Sequence, residues 1–101
     1  MTGFPLTLSP ISVGTSPVAC VPATESRQIT TLIFQAPLTN TAPIFIGGSN
    51  VTTSNGIAIA VGESMAVSCD YQMLRLAASS FFAVSSASGQ SLKILAIFRE
   101  V

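Results

Sequence analysis

The chain has 101 residues, of which 8% are charged and 49% hydrophobic, with a formal net charge of zero and no histidine. Typical soluble domains carry about 25% charged residues, so a single domain with an unusually charge-poor surface is expected. A phosphate-binding surface needs concentrated basic charge. Arg27, Arg75, Lys93 and Arg99 are instead scattered, with Glu25 and Glu100 near two of them, so no nucleic-acid partner is expected.

Residues 1–14 contain Phe4, Leu6 and Leu8 in alternation, interrupted by Pro5 and Pro10. Proline removes a ladder donor, so this stretch reads as an N-terminal arm or edge strand, continued by residues 11–13. The sandwich domain is expected over residues 15–101. The N-terminus has neither a basic start nor a long apolar run, so no signal peptide is expected. Residues 18–21 form a short strand ending before Pro22, and Glu25-Ser26-Arg27 reads as a solvent-facing turn.

Residues 28–36 are the most strand-like run of the first half. Ile29, Thr31 and Ile33 alternate with Thr30, Leu32 and Phe34. Both sets are partly apolar, which predicts a central strand covered on both faces. A turn follows at residues 37–40. Residues 28–62 carry no charge, yet prolines, asparagines and glycines interrupt them throughout. No window of about 20 apolar residues survives to span a bilayer, so no membrane partner is expected.

Residues 44–63 form the unit around which the rest is read. Ile44, Phe45 and Ile46 suit a packed strand, and Gly47-Gly48 frees the backbone for a turn or bulge. Val51-Thr52-Thr53 is again β-favouring. Asn55-Gly56 is a hairpin signal that predicts positive φ. Ile57, Ile59 and Val61 then make one bulky face against Ala58 and Ala60. In residues 64–69, Met65, Val67 and Cys69 alternate inward, with Ser64, Ala66 and Ser68 outward.

Residues 70–78 fit helix and strand spacing equally well and are read as strand or irregular structure. Residues 81–85 form a strand, 86–89 a hairpin loop and 91–99 the closing strand. In that strand Leu92, Ile94, Ala96 and Phe98 share one face, and Leu95 and Ile97 lie on the other. About eight short strands separated by turn signals predict an all-β single-domain sandwich, either a jelly roll or a simpler Greek key.

Catalytic groups are sparse. The absence of histidine removes the commonest base and metal ligand. The carboxylates Glu25, Glu63, Asp70 and Glu100 sit in no recognisable cleft motif, and the many serines have no partner to activate them. The Gly47-Gly48-Ser49-Asn50 stretch lacks the lysine and the helix of a phosphate loop. No enzyme activity, cofactor or metal is expected. Cys20 and Cys69 could form one disulfide in principle, but free thiols are expected in a chain made in a reducing cytoplasm. Two cysteines without histidine make no ordinary zinc site.

The segment Phe45-Ile46-Gly47-Gly48-Ser49-Asn50-Val51-Thr52-Thr53-Ser54-Asn55-Gly56, then residues 57–61 and Gly62-Glu63, resembles a pattern in small virion proteins of tailed bacteriophages. The resemblance extends loosely over residues 25–101. It departs at Val61, where the family pattern often has proline, a difference on which nothing here depends. Similar modules occur in such virions as capsid decoration, in fibres and near the neck. The resemblance implies a structural protein without catalytic residues, made in the host cytoplasm and assembled into the virion. The role expected is a capsid decoration (cement) protein on the head exterior, binding major capsid protein or other virion proteins, as a homo-oligomer such as a trimer. A head–tail connector, neck, tail or fibre component is the alternative. A carbohydrate-binding adsorption module ranks below both, because the chain has no tryptophan and only Tyr71 to stack on a sugar. Phe4, Leu6 and Leu8 are the expected interface residues, and Gly47, Gly48, Asn55 and Gly56 the expected turn-defining ones.

Overall fold

The computed structural model describes residues 3–21, 28–68 and 78–99. Nine strands run through them: β1 (Gly3–Thr7), β2 (Ile11–Val13), β3 (Val18–Ala19), β4 (Gln28–Gln35), β5 (Ile44–Gly47), β6 (Ile57–Ile59), β7 (Ser64–Ser68), β8 (Phe82–Ser85) and β9 (Gln90–Arg99). The one helical turn among the described residues is a 3-10 turn at Ala78–Ser80. Val51-Thr52-Thr53, expected to favour a strand, lies in a loop. The readings on Glu25-Ser26-Arg27, Cys69, Asp70 and Tyr71 lie outside the described residues.

The strands form two antiparallel sheets. The first has the order β1-β9-β4-β7, with β2 also on β9; the second has the order β3-β8-β5-β6. The pairings are nested: β2 with β9, β3 with β8, β4 with β7 and β5 with β6. A chain folded back on itself as one long hairpin and then rolled gives this order, which is the winding of a jelly roll. The count exceeds eight because the first strand breaks in two around Pro10. β1 pairs with residues 95–99 of β9 and β2 with residues 90–92.

The core lies between the sheets. Leu32 and Phe34 of β4 and Leu92, Ile94 and Ala96 of β9 meet Ile44 and Ile46 of β5, Ile59 of β6 and Ala83 of β8. Met65 and Val67 of β7 pack against this cluster from the side, as their alternation predicts. Large apolar side chains of this kind each contribute roughly 1.5–3 kcal/mol when buried.

The alternation in β4 is broken by a bulge. The register passes from Ile29 opposite Phe98 to Thr31 opposite Ile97, leaving Thr30 as the extra residue. Its hydroxyl donates to the Ile97 carbonyl at 3.1 Å. The inserted residue flips the parity, so Ile29 shares the core face with Leu32 and Phe34, while Thr31 and Ile33 turn outward. The expected set Ile29, Thr31 and Ile33 is therefore split. Among the described residues no second layer covers the outward side of β4.

The crossover from β4 to β5 is held by buried amides. Asn40 donates to the Ser91 carbonyl at 2.8 Å and accepts from the Ser91 amide at 2.9 Å. It thus extends the ladder along β9 beyond the end of β4. Gln90 accepts from the Thr41 and Ala42 amides and donates to the Ser88 carbonyl and the Thr41 hydroxyl. Ser85 donates to the Pro43 carbonyl at 2.8 Å. Losing one partner of a buried hydrogen bond exposes the full desolvation cost of the other. Asn40→Ala should therefore lower stability by roughly 2 kcal/mol, read as a drop in melting temperature on the order of 10 °C. A drop no larger than that of an exposed substitution such as Ser54→Ala would show the pair to be dispensable.

Cys20 is free and buried in the core. Burial pushes its thiol from 9.0 up to about 12 by penalising the thiolate. The folded pKa lies above the unfolded one, so this contribution is complete below about pH 9 and is lost as pH rises toward 12. Native Cys20 should resist thiol reagents at pH 8 and react on denaturation. A Cys20→Val variant should lose less stability between pH 9 and pH 11 than the parent chain; equal losses would place the alkaline transition elsewhere.

Candidate functional site

The outward faces of the two sheets differ. The second sheet is covered in part by the chain itself. Loop 48–56, between β5 and β6, seats Val51 at 3% exposure. Val84 of β8 is equally buried, and both lie outside the main core cluster. Their strand neighbour Phe45, paired with Val84, faces the same way. A Cβ built on Gly56 would fall 2.8 Å from both Phe45 Cβ and Val51 Cγ2, and one on Gly47 2.9 Å from Val51 Cγ2. The two glycines make room for this small second core.

The loop satisfies its own polar groups. The Thr52 amide donates to Asn55 Oδ1 at 2.7 Å, and the Thr52 hydroxyl accepts from the Ser54 and Asn55 amides. The Gly56 amide donates to the Thr52 carbonyl at 3.0 Å. This corrects the hairpin expectation for Asn55-Gly56. Among the described residues, positive φ occurs at Gly62 and Gly89 alone. The connection is too long for a two-residue primed turn, so twist matching asks nothing of Asn55 or Gly56. Asn55 acts through its side chain, and Gly56 through close approach. Gly48 meets only Asn50 Oδ1, at 3.5 Å.

The first sheet is different. Its outward side chains follow from the pairing register. One row is Thr7, Leu95, Ile33 and Ala66; the next is Pro5, Ile97, Thr31 and Ser68; the third is Lys93, Gln35 and Ser64. Ile33, Leu95 and Ile97 are half-buried, and Thr7, Gln35, Ser64 and Lys93 are exposed. A groove of about 570 Å³ crosses this face where β1 gives way to β2, between Lys93, Leu95, Ile33 and Pro10. The register also puts Arg99 on this side, opposite Gly3 and Gln28 at the far end of β9; within the three rows above, Lys93 is the one charged residue.

The expected interface residues are distributed unevenly. Phe4 and Leu6 lie on the inner side of β1, and Leu8, just past its end, lines the groove at one edge. Leu6 and Leu8 pack against the core, and Phe4, 37% exposed, lies 5.7 Å from the Phe98 ring. Residues 3–7 and 11–13 are thus strands of the sandwich, and Pro5 is tolerated because β1 is an edge. Ile57, expected to share one bulky face with Ile59 and Val61, is 63% exposed, while Ile59 is buried. The outward apolar row was signalled in the sequence by Leu95 and Ile97; Ile33 was masked as a site residue by the bulge.

Among the described residues, no three His, Cys, Asp and Glu side chains lie close enough to hold a metal, and no helix is long and apolar enough to cross a membrane. The chain matches no protein-family model, no curated protein and no solved structure.

The glycine contacts separate two kinds of position. Gly56→Ala should cost about 1–3 kcal/mol by overpacking against Phe45 and Val51, while Gly48→Ala should stay within about 0.5 kcal/mol. Equal melting temperatures for the two variants would show that Val51 and its loop yield freely.

Proposed function

We propose that this chain is a structural protein of a tailed-phage virion: a decoration (cement) protein that docks on the capsid exterior between major capsid subunits, as a homo-oligomer such as a trimer. The observation that carries the reading is the outward face of the first sheet, which no second layer covers among the described residues, and whose three central rows hold aliphatic and hydroxyl side chains with one lysine. Interfaces depleted of charge at their centre have this character. The resemblance of residues 45–63 to small phage virion proteins supplies the setting. The low charge of the whole chain agrees with a surface that meets other protein, since a charge-poor, neutral monomer has little to keep it dispersed.

Attachment through a detached N-terminal arm finds less support, because Leu6 and Leu8 serve the chain's own core. Deleting residues 1–8 would remove an edge strand as well as any contact. The sheet face is the better candidate for attachment, and its outward residues can be changed without opening the core.

The test is to purify particles of the producing phage and count copies of this chain by quantitative mass spectrometry. A decoration protein should appear in numbers comparable to the major capsid protein, and heads lacking it should lose heat resistance. Copy numbers fixed by a single ring at the neck or tail would support the connector or tail alternative. Complete absence from particles would overturn the virion reading.

A further inference from the structure

We infer that the outward face of the first sheet docks an extended segment of a different polypeptide, aliphatic in character and carrying a carboxylate that meets Lys93. This deepens the proposed role by naming the chemistry of the partner at that face.

The size of the face argues for a segment. Four strands about 4.8 Å apart, with about 3.4 Å per residue, span roughly 20 by 17 Å. A standard interface needs about 800 Å² from each partner, and a patch of this size supplies less than half. One extended chain crossing the strands, or lying in the groove beside β1, matches that area better than a globular domain does.

Charge identifies the occupant. The floor of the groove is Ile33 and Leu95, and its rim is Thr7, Gln35 and Ser64 with Lys93. Covering this face takes Lys93 out of water. An ammonium group so covered needs a carboxylate, because an unpaired desolvated charge costs several kcal/mol. A second copy laid face to face brings none, since the three outward rows hold no acid. Glu63, the one carboxylate among the described residues, sits in the β6–β7 turn, outside those rows. One lysine at the groove, with Arg99 at the opposite end of β9, is also a poor match for nucleic acid, which needs concentrated basic charge. The complement is therefore an aliphatic segment of another chain with one Asp or Glu.

The test uses zero-length carbodiimide coupling, which joins an ammonium to a carboxylate in contact with it. The full chain is produced in phage-infected cells, and coupling is run on both the particle fraction and the soluble fraction. Coupled peptides are then read by mass spectrometry. The expected product is Lys93 amide-linked to an Asp or Glu of another polypeptide, with acetylation of Lys93 in that assembly slowed about tenfold or more relative to the purified chain. Lys93→Glu should reduce assembly about tenfold or more by placing like charges together, while Lys93→Arg should restore most of it. Both variants should keep the melting temperature of the parent. Coupling in the soluble fraction, with particles free of the chain, would support the docking and remove the virion reading. Coupling of Lys93 to a carboxylate of its own chain or of a second copy would overturn the docking. So would a Lys93 that stays uncoupled and freely acetylated in particles that contain the chain, or in every fraction, and in the former case the virion reading survives.

Discussion

The fold depends on β9 being hydrogen-bonded along both of its edges. It pairs with β4 on one side and with β1 and β2 on the other. Where β4 ends, the Asn40 side chain takes over the ladder at Ser91. A strand of ten residues with Leu92, Ile94 and Ala96 turned inward sets the length of the first sheet and the floor of the core. The same strand turns Lys93, Leu95 and Ile97 outward, because side chains alternate strictly along it. The core and the candidate docking face are therefore two sides of one element, held in a common register. A slip of one residue would exchange them, and the Asn40 and Gln90 hydrogen bonds oppose such a slip at the start of the strand.

The edges of the first sheet are treated differently. The β1–β2 edge carries Pro5 and is broken around Pro10, which limits its use as a template for a further strand. The β7 edge, Ser64–Ser68, has no proline and no charge. Exposed apolar residues elsewhere are isolated: Leu38, 83% exposed, lies over Gly62 in a turn, and Ile57 lies at the start of β6. Single exposures of this kind are ordinary on protein surfaces. The three half-buried aliphatic residues of the first sheet are contiguous across strands, which sets that face apart.

The fold class was legible because alternation is clean where the strands are regular. β7 and β9 show this best: Met65 and Val67, then Leu92, Ile94 and Ala96, all point as spacing requires. What was not legible came from backbone irregularity. One extra residue at Thr30 reassigns every side chain after it, and no composition rule marks Thr30 as a bulge. Asn55-Gly56 has the residue types of a tight hairpin turn, yet the loop is closed by side-chain hydrogen bonds to Thr52 and by packing on Val51. Asn40 and Gln90 look like turn and strand-start residues; their roles depend on partners about fifty positions away along the chain. Phe4, Leu6 and Leu8 were noticed for the right property, apolar alternation, which serves the chain's own core at Leu6 and Leu8.

Loop 48–56 shows what a covering segment on such a sandwich requires. It brings one aliphatic side chain, Val51, down to the sheet, and it satisfies its own backbone through Thr52 and Asn55. Gly47 and Gly56 allow it to lie close. The first sheet has the aliphatic floor but lacks glycines in its outward rows beyond Gly3 at the strand end, so a covering chain must sit higher and leave room along the strands. The groove beside Lys93 is that room. The loop over the second sheet contains no charge because its floor contains none. The same matching, applied to a floor with one lysine, calls for a segment with one acid, which is chemistry that this face does not supply to itself.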